Sequence, residues 1–283
     1  MILAPLRGVT IRCFRRTFAG EIASAGFSEA VTPFITATPG FDPMRDRELR
    51  GGESLKTTPQ FISKDPGALR DCLERIKGAG FETADLNAGC PFPMVRNKGR
   101  GSGLLKTPET LRRLLAVGCE VMGPGCFSLK ARLGIDRADE LLSLMPLINE
   151  FPLRFLTVHA RTSRQMYEGR CDLDAFRKVV AVSLVPVVYN GDAPLSGACA
   201  EAGVADVMVG RAFVRSLGMR EDSAMLLKRY IEASAEELSG DQPVLGRMKE
   251  LVSYWKDILE WRRRWRLVKL SRSLEELQLA IRD

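Results

Sequence analysis

The chain has 283 residues, of which 45% are hydrophobic and 27% are charged, and its formal net charge is +7. These values are typical of a globular protein with one large domain, or with a domain and a small appendage. No apolar run approaches the roughly 20 residues of a membrane helix, and the first residues lack the regions of a signal peptide. We therefore expect a cytoplasmic protein that does not bind membranes.

The cysteines and the histidine argue against a metal site. Seven cysteines are scattered along the chain, no Cys-x-x-Cys pair occurs, and there is one histidine. Neither a zinc site nor a disulfide framework is expected from this pattern. Most of these thiols are predicted to be reduced and to fill the core as small hydrophobic groups.

Short β-rich runs alternate with amphipathic stretches over the first 215 residues. The strands are predicted over 2–4, 30–34, 59–62, 83–86, 127–130, 155–158, 186–189 and 207–209. The helices between them are predicted over 11–25, 66–79, 108–121, 138–151, 173–182 and 195–202. Alternating units of this kind indicate a parallel sheet with helices outside it, and eight of them indicate a (β/α)₈ TIM barrel.

After residue 215 the strand pattern stops, and helices are predicted over 219–239, 245–265 and 274–282. We therefore predict a barrel domain over 1–217 and a small C-terminal all-helical domain over 218–283. Between Val244 and Arg272 there are nine Lys or Arg residues against three acidic ones, which is nearly the whole excess charge. Such a segment suits a polyanion such as RNA, although a solvated helix face is the simpler interpretation of a charge run alone.

In a TIM barrel the active site lies at the carboxyl ends of the strands. Reading off the residues at those ends gives Gln60, Asn87, Cys90, Lys130, Arg132, His159, Arg161, Asn190, Gly191, Asp192, Gly210 and Arg211. Glycines after the last two strands allow backbone N–H groups to approach an anion, and Arg211 adds a forked donor. A phosphate-bearing cofactor is therefore predicted at this end of the barrel.

The remaining strand-end residues suit a flavin. Gln60 is predicted to bond the pyrimidine edge of the ring, and Lys130 to stabilise the negative charge that builds at N1 on reduction. Taken alone, Lys130 fits an ion pair with a neighbouring carboxylate equally well. A lone histidine is usually a satisfied core residue, but at a strand end beside Arg161 we expect His159 to contact substrate or flavin.

Seven blocks of the sequence resemble the tRNA-dihydrouridine synthase family, flavin enzymes that reduce particular uridines in tRNA. They are "LAPLRGVT", "TPQFISKDP", "ADLNAGCPFPMVRNKGRGSGLL", "SLKARLG", "LTVHARTSRQMYEG", "VPVVYNGD" and "DVMVGRAFV". The resemblance implies that FMN is tightly bound, and that Cys90 is the catalytic acid. It implies that Pro5, Leu6, Arg7, Gln60, Lys130 and His159 hold FMN, and that Asn190, Gly191, Asp192, Gly210 and Arg211 cradle its phosphate. It also implies that Asn87, Arg132 and Arg161 bind the uracil, and that the helical domain binds tRNA.

The chemistry of this family accounts for the position of Cys90 between Gly89 and Pro91. A hydride from the reduced flavin adds to C6 of uracil, and a thiol, which is mostly protonated at neutral pH, donates the proton to C5. The uridine must be flipped out of the RNA to reach the ring. NADPH or NADH is expected to reduce the flavin transiently, and the protein is expected to be a monomer.

Two other functions remain open at this point. A flavin barrel oxidoreductase acting on a free small molecule, such as a dihydropyrimidine, would share the phosphate site and Lys130 but would not need Arg96, Lys98 and Arg100. A non-catalytic protein that binds or folds tRNA would need the basic surface but not Cys90.

Overall fold

Parallel strands build the centre of the molecule. The computed structural model describes residues 1–192, 194–195 and 202–282. In this part of the chain, ten strand segments form one sheet in which every pairing is parallel. The segments are β1 (Ile2–Leu3), β2 (Glu29–Val31), β3 (Ile35–Thr36), β4 (Lys56–Thr58), β5 (Gln60–Ile62), β6 (Ala84–Ala88), β7 (Phe127–Gly134), β8 (Leu156–Thr162), β9 (Val187–Asn190) and β10 (Asp206–Val209).

The sheet closes on itself. Segments β2 and β3 are successive pieces of one extended stretch, and so are β4 and β5. Segment β2 pairs with β4 and β3 with β5, while the other strands run in order from β5 through β10 to β1 and back to β2. Counting each split stretch once gives eight strands, so the predicted (β/α)₈ barrel is confirmed.

Helices cover the outside of the barrel. They are α1 (Arg12–Thr17), α2 (Ala19–Ser24), α3 (Pro66–Gly78), α4 (Pro93–Arg96), α5 (Pro108–Met122), α6 (Glu140–Ile148), α7 (Leu173–Val182) and α8 (Arg211–Gly218). The predicted helix over 11–25 is wrong as a single element, because the chain bends at Phe18, whose ring is fully buried. The helix predicted over 195–202 falls almost entirely on residues 196–201, which lie outside the described residues.

Several strands continue past their predicted ends. Strand β7 ends at Gly134 rather than 130, and β8 ends at Thr162 rather than 158. Both extensions carry polar side chains on alternate positions, and alternate positions of a barrel strand face the interior. The polar residues of the site therefore lie within the strands and not only in the loops after them.

Four helices follow the barrel and pack on it. They are α9 (Ser223–Glu237), α10 (Asp241–Ser253), α11 (Leu259–Leu270) and α12 (Leu274–Arg282). The single helix predicted over 245–265 is wrong, because the chain turns between Ser253 and Leu259 to bury Trp255. The Trp255 ring packs against Gly218, and its Nε1–H donates to the Val214 carbonyl at 2.7 Å.

One hydrophobic core joins the barrel and these four helices. Trp255 and Trp261 are both fully buried in it, and their ring centroids are 4.6 Å apart. Within the described residues, no helix is both long enough and apolar enough to cross a bilayer. The division at residue 217 thus separates two parts that share their core, and it remains a prediction.

Candidate active site

A cavity of about 950 Å³ opens at the carboxyl ends of the strands. Twelve of the residues singled out from the sequence line it: Pro5, Leu6, Arg7, Asn87, Cys90, Lys130, Arg132, His159, Asn190, Gly191, Gly210 and Arg211. Gln60, Arg161 and Asp192 do not line it, and they act on it through neighbours described below. The strand register brings the set together, since Asn87 lies beside Lys130, and Arg132 and Asn190 flank His159.

The Cys90 loop is held from both sides. The Asn87 side-chain oxygen accepts from the backbone N–H of Gly89 at 3.1 Å and of Cys90 at 2.9 Å. On the other side, the Ser102 backbone N–H and hydroxyl both donate to the Cys90 carbonyl, at 3.1 and 3.0 Å. Gly101 has a φ of +56°, and a Cβ there would lie 2.8 Å from the Cys90 Cβ. The glycine-rich loop therefore packs closely against Cys90 and supports its backbone.

The Cys90 thiol lines the cavity but is only 7% exposed. Burial raises its pKa above the ordinary value, and the Phe92 backbone N–H and the cations Arg132, Arg7 and Lys130 only partly offset this effect. The thiol is therefore protonated at neutral pH, which is the state that a proton donor requires.

A buried chain of hydrogen bonds fixes Asn87. The Asp85 carboxylate accepts from the Gln60 amide nitrogen at 2.8 Å, and the Gln60 oxygen accepts from the Asn87 amide nitrogen at 2.8 Å. Because a carboxylate only accepts, it dictates which way both amides face. Burial raises the pKa of Asp85 to about 6, while hydrogen bonds from Ser128 and Gln60 oppose this rise. Gln60 thus acts on the site through Asn87.

Lys130 is a buried cation that faces the cavity with one hydrogen-bond partner described. Its Nζ donates to the Asn190 side-chain oxygen at 2.8 Å, and the Asn190 amide nitrogen donates to the Met208 carbonyl at 2.7 Å. Burial, helped by repulsion from Arg132, lowers the pKa of Lys130 to about 7. The alternative interpretation of Lys130, an ion pair with a neighbouring carboxylate, finds no partner within salt-bridge distance among the described residues. An anion in the cavity would therefore strengthen the charged form.

His159 is a neutral imidazole. Burial and the surrounding cations, first among them Arg132 and Lys130, hold its pKa well below the ordinary value. Arg161 Nη1 lies 3.3 Å from His159 Nε2. Since a guanidinium only donates, Nε2 is the acceptor and the proton is on Nδ1.

Arg161 is fully buried and engaged by protein groups. Its nitrogens also donate to the Glu168 and Gly169 carbonyls at 3.1 and 2.7 Å, and one nitrogen pairs with the Asp192 carboxylate. The other Asp192 oxygen accepts from Arg211 at 2.6 Å. Asp192 therefore orients two arginines around the cavity wall, and the prediction that Arg161 contacts substrate remains untested.

Close packing forms the wall near Gly191 and Gly210. A Cβ on Gly191 would lie 2.5 Å from the Cys171 sulfur, and one on Gly210 would lie 3.0 Å from the Ala4 Cβ. Helix α8 begins at Arg211, directly after Gly210. Its exposed backbone N–H groups and partial positive charge favour an anion at this point.

The cavity wall is strongly cationic. Among the described lining residues, Arg7, Lys130, Arg132, Arg211 and Arg247 stand against one carboxylate, Glu250. Such a field attracts phosphate-bearing ligands.

Sequence reasoning missed residues that lie away from strand ends. Tyr167 lines the cavity, and the guanidinium groups of Arg132 and Arg211 lie 5.4 and 5.1 Å from its ring centroid. The sequence indicated Tyr167 as a site residue only through its place in the block "LTVHARTSRQMYEG". Helix α10 and the turn after it add Arg247, Glu250 and Tyr254, whose spacing of three and four residues puts them on one helix face.

Comparisons with known proteins place the chain in a family. A family model described as dihydrouridine synthase matches residues 2–259. The chain is 33% identical over 220 residues to a probable tRNA-dihydrouridine synthase of Rhodobacter capsulatus, and 32% identical over 196 residues to tRNA-dihydrouridine synthase B of Vibrio cholerae. These alignments cover 75% and 68% of this chain, but only 66% and 59% of the two relatives.

The fold has solved counterparts as well. The chain resembles morphinone reductase with a TM-score of 0.56 and 11% identity, over 76% of this chain and 82% of that one. At this identity the likeness concerns the fold. Among the described residues, no three His, Cys, Asp or Glu side chains lie close enough to hold a metal ion.

Proposed function

Because the chain belongs to the dihydrouridine synthase family, we propose that it reduces the C5–C6 bond of specific uridines in tRNA, with FMN as its cofactor. The observation that carries this proposal is a buried thiol and a buried lysine that face one cationic cavity. NADPH or NADH is the proposed reductant, and the cytoplasm is the proposed location.

The residues of the cavity fit FMN. No carboxylate among the described residues lies within salt-bridge distance of the buried Lys130, although the charge of Asp85 acts on it from farther away, and this arrangement suits a ligand that gains negative charge. The close-packed glycines and Arg211 suit a phosphate, with the Asp192 backbone as a further donor. Pro5, Leu6 and Arg7 line the cavity next to Gly210, since a Cβ on Gly210 would lie 3.3 Å from the Leu6 methyl groups, and His159 offers the proton on Nδ1. When bound and reduced, the flavin supplies the hydride that uracil C6 receives.

Arg132 and Asn87 are proposed to hold the extruded uracil. Arg132 is anchored by the Gly89, Thr162 and Met166 carbonyls at 3.0, 2.8 and 2.7 Å. No described residue accepts from its Nη2, which leaves that donor for a uracil oxygen. Asn87 is 7% exposed and lines the cavity, and one of its two amide hydrogens is free of Gln60.

Cys90 completes the reaction. Its Sγ–H donates the proton to uracil C5, so that one hydride and one proton are added and the thiol becomes a thiolate. Arg132, Arg7 and Lys130 stabilise that thiolate electrostatically until solvent returns the proton.

The purified protein tests this proposal directly. We expect it to be yellow, and we expect its flavin, once reduced anaerobically by NADPH or NADH, to be reoxidised by unmodified tRNA but not by free uridine. Reoxidation by a free pyrimidine would favour the small-molecule oxidoreductase. A protein that binds tRNA without flavin would favour the non-catalytic alternative.

Two cysteine variants test whether Cys90 is the acid. Cys90→Ala should retain flavin and lose at least 100-fold in dihydrouridine formation, since general acid catalysis contributes about 10²–10⁴-fold. Cys119→Ala is the control, because that thiol is partly buried on helix α5, away from the cavity. Equal turnover of the two variants would exclude Cys90 as the donor.

A further inference from the structure

Two apolar side chains project from the Cys90 loop at the mouth of the cavity. Met94 is 73% exposed and Phe92 is 40% exposed, and both line the cavity that holds the thiol. Single exposed hydrophobic residues are common on protein surfaces. Here, two of them flank the entrance through which a base must pass, within four residues of Cys90.

The segment that carries them is rigid. The Val95 and Arg96 N–H groups both donate to the Phe92 carbonyl at 2.9 Å, which closes the short helix α4. Gly103 packs so closely that a Cβ there would lie 2.4 Å from the Arg96 carbonyl oxygen. These contacts tie the backbone that carries Met94 to the loop that supports Cys90.

Positive charge surrounds these apolar side chains. Arg96, Lys98 and Arg100 follow on the same segment, and no carboxylate lies within salt-bridge distance of them among the described residues. Arg7 and Arg247 line the same cavity. Apolar side chains with cations on the same segment and in the same cavity complement a polyanion that carries stacked bases, since cations bind phosphates and apolar side chains insert between base steps.

We propose that Met94, supported by Phe92, is a wedge that inserts into the base stack of the RNA at the position that the extruded uridine has vacated. The inference rests on the proposed function and adds the residues that stabilise the extruded state. Unstacking a base costs a few kcal/mol, and contact of a side chain with a neighbouring base recovers part of that cost. Removing the wedge should therefore weaken extrusion without changing the chemistry on the flavin.

The test compares Met94→Ala, Phe92→Ala and the double variant with the wild type. The substrate is an in vitro tRNA transcript that the wild type modifies, with 2-aminopurine beside the target uridine, so that fluorescence reports unstacking. Met225→Ala is the matched control, because Met225 is 61% exposed on helix α9 and does not line the cavity. Flavin content and the rate of flavin reduction by NADPH are measured in parallel.

For the double variant we expect kcat/KM for dihydrouridine formation to fall about 10- to 100-fold, and the fluorescence increase to be lost. Flavin content and flavin reduction should stay within twofold of the wild type, and Met225→Ala should behave as the wild type. A transcript with an abasic site beside the uridine should reduce the defect, because less stacking then opposes extrusion.

Wild-type kcat/KM and fluorescence in the double variant would overturn the wedge, and so would a defect confined to flavin reduction. A wild-type protein that forms no dihydrouridine in any tRNA transcript would instead overturn the proposed function, and the wedge with it.

Discussion

Replacing Lys130 with methionine should stabilise the flavin-free protein at low pH. The side chain is 9% exposed, and burial lowers its pKa from 10.5 to about 7. The unfolded chain therefore binds more protons than the folded chain between pH 7 and 10.5, so stability rises with pH across this window. The penalty on the folded state is fully present below pH 7 and vanishes above pH 10.5.

The size of the effect follows from the same pKa values. At 1.36 kcal/mol per pH unit, the buried charge destabilises the folded protein by about 5 kcal/mol at most. Lys130→Met also removes the hydrogen bond to Asn190, which costs about 1–3 kcal/mol. We therefore expect the flavin-free variant to gain about 2 kcal/mol at pH 6.5 and to lose that advantage at pH 10.

Urea denaturation of flavin-free samples at several pH values measures this difference. Lys98→Met is the control, because Lys98 is exposed and its replacement should leave the pH dependence of unfolding unchanged. If Lys130→Met is less stable at pH 6.5, and its stability changes with pH as in the wild type, then Lys130 is not the destabilising buried cation that we infer. With flavin bound, the order should reverse, because the variant lacks the cation that the ligand binds.

Three further changes test the residues that support Cys90 and the C-terminal helices. Gly101→Ala should destabilise the fold by about 1–2 kcal/mol and lower dihydrouridine formation at least tenfold, because the new side chain strains a positive φ and crowds Cys90. Gly125→Ala is the control for denaturation and turnover assays, because Gly125 also has a positive φ but lies in open space, so this change should lower stability alone. Asp85→Asn should lower kcat about tenfold with flavin retained, because the side-chain amides of Gln60 and Asn87 are then no longer held in one orientation. Restored kcat in Asp85→Glu would support this reason, and unchanged kcat in Asp85→Asn would contradict it. Neutralising Arg262 and Arg263, both exposed on helix α11, should weaken tRNA binding and lower its salt slope by about two, and equal slopes in filter-binding titrations would rule out phosphate contacts.

The barrel could be predicted from the sequence because its alternating pattern is local. The strand ends were less predictable, since Lys130 and Arg132 interrupt the apolar pattern of β7 although both lie within the strand. Sequence reasoning takes a polar residue as the end of a strand, whereas a barrel interior with a ligand site accepts it. Tertiary packing also overrode helix periodicity at Trp255, where the chain turns to bury the ring.

The residues of the candidate site that lie at strand ends could be predicted. Most residues singled out in this way line one cavity, because parallel strands deliver their carboxyl ends to one rim. Gln60 and Arg161 lie behind the wall, and only hydrogen-bond partners reveal this, since sequence spacing does not distinguish a lining residue from its support. The contribution of helix α10 could not be predicted, because it depends on how the tail docks on the barrel.

In the reaction proposed above, that docking gives the four C-terminal helices a part in chemistry as well as in recognition. The faces of Arg247, Glu250 and Tyr254 close one side of the reaction chamber. Exchanging the tail for that of a relative would therefore reshape the chamber itself, and we expect such a hybrid to show altered turnover along with any altered choice of uridine. Under the proposed function, selectivity and rate depend on the same wall, so engineering one without the other requires changes that leave α10 in place.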